Sequence, residues 1–178
     1  MRCFIAIDLP SEIKDFLFNL RGKIGLVNAK FVERRNLHLT LKFFGEIDDL
    51  KVKQIQEKIQ ELKFKKFNVS LGNIGFFPDK NYIRVLWVSL EPSSEIKRLY
   101  DEINSVLSGI KTKEEDSKSH ITLARIKTIK DKPKFLDSVS KIKIKKKSFV
   151  VDSIKLKKSV LTNKGPLYSD LLEIPLQS

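Results

Sequence analysis

The chain has 178 residues, enough for one substantial domain and too few for two of typical size. Its 41 % hydrophobic and 32 % charged residues are the composition of a soluble globular protein and exclude a wholly disordered chain. The 35 basic and 22 acidic side chains leave a charge of +13, split as +6 over residues 1–90 and +7 over 91–178; this is no detachable basic tail, and it points to a polyanionic partner without identifying one.

In chain order, Arg2 to Leu9 reads as a strand rich in Phe and Ile. Its apolar run is too short for a secretory signal, and no stretch approaches the roughly 18 apolar residues of a membrane span. Its lone cysteine, Cys3, rules out an internal disulfide framework and any cysteine-cluster metal site. A cytoplasmic protein with no membrane association is the expectation. Ser11 then reads as a helix N-cap, with Ile13, Phe16, Leu17 and Leu20 at helical spacing. Phe31-Val32 is a short strand. From Asn36 to Gly45 the pattern alternates, placing Leu37, Leu39, Leu41 and Phe43 on one face and His38, Thr40 and Lys42 on the other. Asp48 or Asp49 caps a helix carrying Leu50, Ile55, Ile59 and Leu62. Strands follow at 64–77 and 82–90, then a helix from Pro92 with Ile96, Leu99, Ile103 and Leu107 inward. A polar loop at 111–119 leads to a strand at 120–126 and a short helix near 131–140. Strands at 148–160 and 168–176 close the sequence around the turn Asn163-Lys164-Gly165-Pro166. The layout is α+β, a single domain over 1–178 made of two similar parts, roughly 1–90 and 91–178.

The two histidines of the chain open the same pattern, His38-Leu39-Thr40-Leu41 and His120-Ile121-Thr122-Leu123, 82 residues apart. With five Thr and 22 Leu in the chain, both matching by accident has odds of about one in 80,000 on composition. The spacing, close to half the chain, suggests an internal duplication. On a strand, residues two apart share a face, so each His projects with its Thr while the leucines pack behind. Two such strands meeting across a pseudo-two-fold axis put two imidazoles on either side of a cleft, able to supply a general base and a general acid in one step. The threonine hydroxyls and nearby cations would hold the oxygens of a phosphoryl group, with no metal or other cofactor required.

These stretches, with Lys42-Phe43-Phe44-Gly45-Glu46 after the first and Ala124-Arg125 after the second, resemble the two signature motifs of the two-histidine phosphoesterase superfamily. Within it the chain resembles the RNA 2′,3′-cyclic phosphodiesterases, also called 2′-5′ RNA ligases; Arg2-Cys3-Phe4-Ile5-Ala6-Ile7 and Gly165-Pro166-Leu167-Tyr168 extend the resemblance over the full length. It implies a bilobal fold, two pseudo-symmetric antiparallel sheets facing a central cleft with helices outside. It also implies metal-independent hydrolysis of RNA 2′,3′-cyclic phosphate ends to a 2′-phosphate. The expectation is a monomeric or weakly associating enzyme, with tRNA fragments among the candidate substrates and reversible 2′-5′ RNA ligation at the same site. His38 would protonate the departing O3′ and His120 would activate water, a division the symmetry of the motifs does not itself decide. Thr40 and Thr122 would bond the phosphate, and Arg125 would grip it with a guanidinium fork.

Five residues after each histidine stand Phe43 and Arg125. Strict alternation turns both away from the cleft, so a strand end, twist or bulge is needed to bring them round. Phe43 therefore has two readings, core packing or base stacking, and Lys42 two, solvated side chain or substrate contact. The lysine runs 141–147 and 155–158 read as solvated surface or as flanks of an RNA path. Glu114-Glu115-Asp116, just before His120, reads as a loop with a conceivable gating role. Two other functions fit less of the pattern: a non-catalytic RNA-binding module, and a cyclic phosphodiesterase for small nucleotides. If the charge excess serves RNA, it should concentrate around one cleft.

Overall fold

The structure, a computed structural model, describes residues 1–112 and 118–178. Alternating and continuous apolar runs build its strands. The first, β1 (Arg2–Asp8), buries Cys3 to Ile7 without a break, as a strand covered on both faces must. Beside it lies β3 (His38–Glu46), with Leu39 and Leu41 buried behind half-buried His38 and Thr40. The remaining strands are β2 (Val27–Phe31), β4 (Phe67–Pro78), β5 (Ile83–Glu91), β6 (Ile121–Ile129), β7 (Ser148–Val151), β8 (Ser153–Thr162) and β9 (Gly165–Pro175). They run in the order β7-β4-β5-β6-β3-β1-β8-β9, with β2 paired to β6 and every one of these pairings antiparallel.

The two sheets expected from the sequence are the halves of this nine-stranded sheet, and they meet at one register pair, Leu39 with Ile121. One half is β3-β1-β8-β9; the other is β7-β4-β5-β6 with β2. Each draws strands from both ends of the sequence: β4 and β5 join the His120 half, while β8 and β9 return to the His38 half.

Among the described residues, four α-helices, α1 (Ser11–Asn19), α2 (Asp49–Ile59), α3 (Ser93–Val106) and α4 (Lys132–Ser140), bury apolar stripes in the core. Asp48 and Asp131 cap α2 and α4, accepting from the backbone N–H of Lys51 and Lys134. Ser11 does not cap α1: Pro10 holds that position, and the Ser11 hydroxyl accepts instead from the Arg34 guanidinium. In α2, Leu50 is 68 % exposed and Val52 takes the inward place, because 52, 55 and 59 share one face and 50 does not. The strand expected over 148–160 is two. Asp152 interrupts it, and β7 pairs with β4 whereas β8 pairs with β1 and β9. Among the described residues, no helix is long and apolar enough to cross a membrane.

Candidate active site

His38 is the first residue of β3, and His120 immediately precedes β6. Their rings are anchored identically. Nδ1 of His38 lies 2.6 Å from the carbonyl of Asn36, and Nδ1 of His120 lies 2.7 Å from the carbonyl of Lys118, each two residues earlier. A carbonyl only accepts, so the proton sits on Nδ1 in both rings and Nε2 is the variable atom. Nε2 of His38 is 2.9 Å from Oγ1 of Thr40. Both histidines and both threonines line one cleft of about 590 Å³, together with Arg125, Phe43, Arg2, Phe4 and Tyr168.

The +5 residues reach the cleft through a device repeated in the two motifs. Against β1, Ala6 pairs with Thr40 and Ile5 with Lys42, so Leu41 is an extra, bulged residue. Against β5, Trp87 pairs with Thr122 and Leu86 with Ala124, so Leu123 is bulged in the same way. One extra residue inverts the alternation beyond it. Phe43 and Arg125 therefore join the histidines on the cleft side, and of the two readings of Phe43 the structure has it lining the cleft, under the Arg2 guanidinium at 4.8 Å. The same inversion corrects the placement of Lys42. It turns away from the cleft, is 6 % exposed, and donates to Asn104 of α3 at 2.6 Å.

Each imidazole is walled by aromatic rings. His38 lies 5.0 Å from Phe4 and 5.4 Å from Tyr168, and His120 lies 4.8 Å from Phe77 and 6.3 Å from Trp87, between centroids. Burial pushes the His38 ring down to about 4, against the opposing effect of the Asn36 carbonyl and with Lys157 nearby adding to the depression. Burial also lowers His120, again against its carbonyl partner, with Arg125 and Lys118 contributing.

Lys155 and Lys157 belong to neither of their expected readings. With Asp8 and Asp170 they form a four-membered ion-pair cluster at 2.7–3.0 Å on the strands beside His38. Burial opposes ionisation of Asp8, but the two ammonium groups hold its carboxyl below the usual range. Glu114, Glu115 and Asp116 lie outside the described residues.

Sequence reasoning missed Asn36, Phe4 and Tyr168 as parts of the site. Asn36 is buried; its carbonyl orients His38 while its amide donates to the Pro166 carbonyl at 2.9 Å, tying the β8–β9 hairpin to the cleft. The alternation of β1 did carry a signal for Phe4, which shares a face with Asp8, the register partner of His38.

Two backbone-anchored imidazoles lining one cleft with two threonines are the arrangement of the two-histidine phosphoesterases. A sequence model of one family among them, LigT like phosphoesterase, matches the chain twice, over residues 7–87 and 88–168, and the chain belongs to that family. The RNA 2′,3′-cyclic phosphodiesterase of Methanocaldococcus jannaschii is 37 % identical over 175 residues, which span 97 % of this chain and 99 % of that protein. The protein of the same name from Archaeoglobus fulgidus is 35 % identical over 179 residues, spanning 96 % and 98 %. Escherichia coli LigT, in its crystal structure complexed with 3′-AMP, superposes with a TM-score of 0.78 at 26 % identity, covering 99 % of this chain and 98 % of that one.

Proposed function

We propose that the chain hydrolyses 2′,3′-cyclic phosphates at RNA ends to 2′-phosphates, His120 acting as general base and His38 as general acid. The observation that carries this reading is the matched anchoring of the two rings, which leaves both Nε2 atoms free for chemistry in one cleft lined by both threonines. The full-length relatives named RNA 2′,3′-cyclic phosphodiesterase support the substrate class.

In this scheme Nε2 of His120 takes a proton from water as its oxygen bonds phosphorus. The P–O3′ bond breaks on the opposite side, and Nε2–H of His38 protonates the departing O3′. Thr40, Thr122 and Arg125 hold the non-bridging oxygens and the charge that grows on them. His38 is neutral in the free protein, so its acid role depends on the substrate. The phosphate anion raises the affinity of a neighbouring imidazole for a proton, and the poorly solvated surroundings that depress His38 also strengthen that attraction. With a 5′-hydroxyl in place of water as the nucleophile, the same transfers in the same direction form a 2′-5′ linkage, and their reversal breaks it. The site is complete within one chain, which supports action as a monomer, and we place it in the cytoplasm.

The test is incubation of the purified protein, in chelator, with an RNA ending in a 2′,3′-cyclic phosphate. The product should carry a 2′-phosphate, and His38→Ala or His120→Ala should each slow turnover on the order of 10²–10⁴-fold. A 3′-phosphate product reverses the leaving-group assignment, and a fully active His120→Ala protein sinks the mechanism.

A further inference from the structure

The cleft holds more positive charge than a single cyclic phosphate requires. Five of its lining residues, histidines aside, are charged: Arg2, Lys30, Arg125, Lys164 and Glu33. The carboxylate of Glu33 is engaged by Arg35 at 3.0 Å. Among the described residues none of the four cations has an ion pair, whereas Lys155 and Lys157 of β8 are each matched by two carboxylates. Four uncompensated cations in one concavity repel one another, and an anionic ligand relieves that repulsion.

The four are not equivalent in position. Arg125 reaches the cleft from the strand of Thr122, and Arg2 covers Phe43. Lys30 lies one strand farther out, on β2 opposite Arg125, and is exposed. Its ammonium comes within 3.8 Å of where a Cβ on Gly165 would sit, so it reaches the tip of the β8–β9 hairpin across the cleft. Lys164 stands in that turn, which is braced by Thr162: its hydroxyl donates to the Gly165 carbonyl and accepts from the Lys164 N–H. One lysine from each half of the sheet thus lines the cleft beside the tip of the β8–β9 hairpin. Asn36, tied to the Pro166 carbonyl, fixes that rim relative to His38.

We propose that Lys30 and Lys164 form a second phosphate site, taking the phosphate on the 5′ side of the terminal nucleotide, so that the preferred substrate is an oligonucleotide end and not a cyclic nucleoside phosphate. The inference rests on the hydrolytic reading of the site given above. Phosphate contacts of this kind position a strand without reading its sequence, and they are salt-dependent.

The experiment compares three substrates with one base: the nucleoside 2′,3′-cyclic phosphate, the same compound carrying a 5′-phosphate, and a trinucleotide ending in the cyclic phosphate. In the wild type the added 5′-phosphate should raise kcat/KM on the order of tenfold, and the trinucleotide should gain at least as much. The Lys30→Met/Lys164→Met double variant should lose that preference, while Lys30→Arg/Lys164→Arg should retain it. Raising the salt should shrink the wild-type preference more than that of the Met variant. No gain from the 5′-phosphate in the wild type overturns the proposal, as does a Met variant that loses activity equally on all three substrates. Absence of turnover on all three in the wild type instead overturns the hydrolytic reading, and this site with it.

Discussion

Burial of His38 makes stability depend on pH in a window that one ring dominates. The imidazole titrates near 6.5 when unperturbed and is pushed down to about 4 in the fold. Between those values the unfolded chain takes up a proton that the folded chain refuses. The contribution of His38 is therefore fully present above the unfolded value and is lost as the pH falls toward 4. From about pH 7.5 to about pH 5 the loss amounts to about 2 kcal/mol, against a total stability of roughly 5–15 kcal/mol for an ordinary domain. Asp8 and Asp170 are held below their ordinary 3.8, so their contributions fade only beneath this interval. His120, also depressed by burial, adds a slope of its own. Urea unfolding of wild type and His38→Gln at the two pH values separates them. The variant should lose about 2 kcal/mol less than the wild type over the interval. Equal losses would refute the reasoning, because the ring would then be as easily protonated in the fold as outside it.

Two further variants probe the walls of the site and the bulges. A Cβ on Gly75 would come within 2.2–2.6 Å of the Trp87 ring, so Gly75→Ala should displace the indole that packs beside His120. Trp87 is the lone tryptophan of the chain, and a shift in its emission together with slower cyclic-phosphate turnover is the expected outcome. Lys42→Met keeps the buried stem and removes the bond to Asn104. It should change stability by about 1–3 kcal/mol and kcat/KM less than about twofold; a tenfold fall in kcat/KM with the fold intact would return Lys42 to the cleft.

Both histidines, both threonines and most elements were legible because each depends on local periodicity. The placement of Phe43, Arg125 and Lys42 was not, because a period of two says nothing about an extra residue. The bulged Leu41 and Leu123 look like ordinary apolar positions until a partner strand is laid beside them. Lys155 and Lys157 were misread for a similar reason: their partners Asp8 and Asp170 come from other strands, and a run of lysines looks solvated without them. The charge excess was a partial guide. The cleft lining carries four cations and one carboxylate, a net +3 of the +13, so most of the excess lies elsewhere.

The return of β8 and β9 to the first half of the sheet sets an order of events. A growing chain that has reached the end of β6 already carries both histidines. It still lacks Tyr168 against His38 and the Pro166 carbonyl that Asn36 holds. The ion-pair cluster beside His38 joins Asp8 to Lys157, 149 residues away in sequence. Closing a loop of that length is slow compared with forming local hairpins. The first histidine is thus made early and finished late, and a nascent chain cannot present a completed site until residues beyond 165 have emerged.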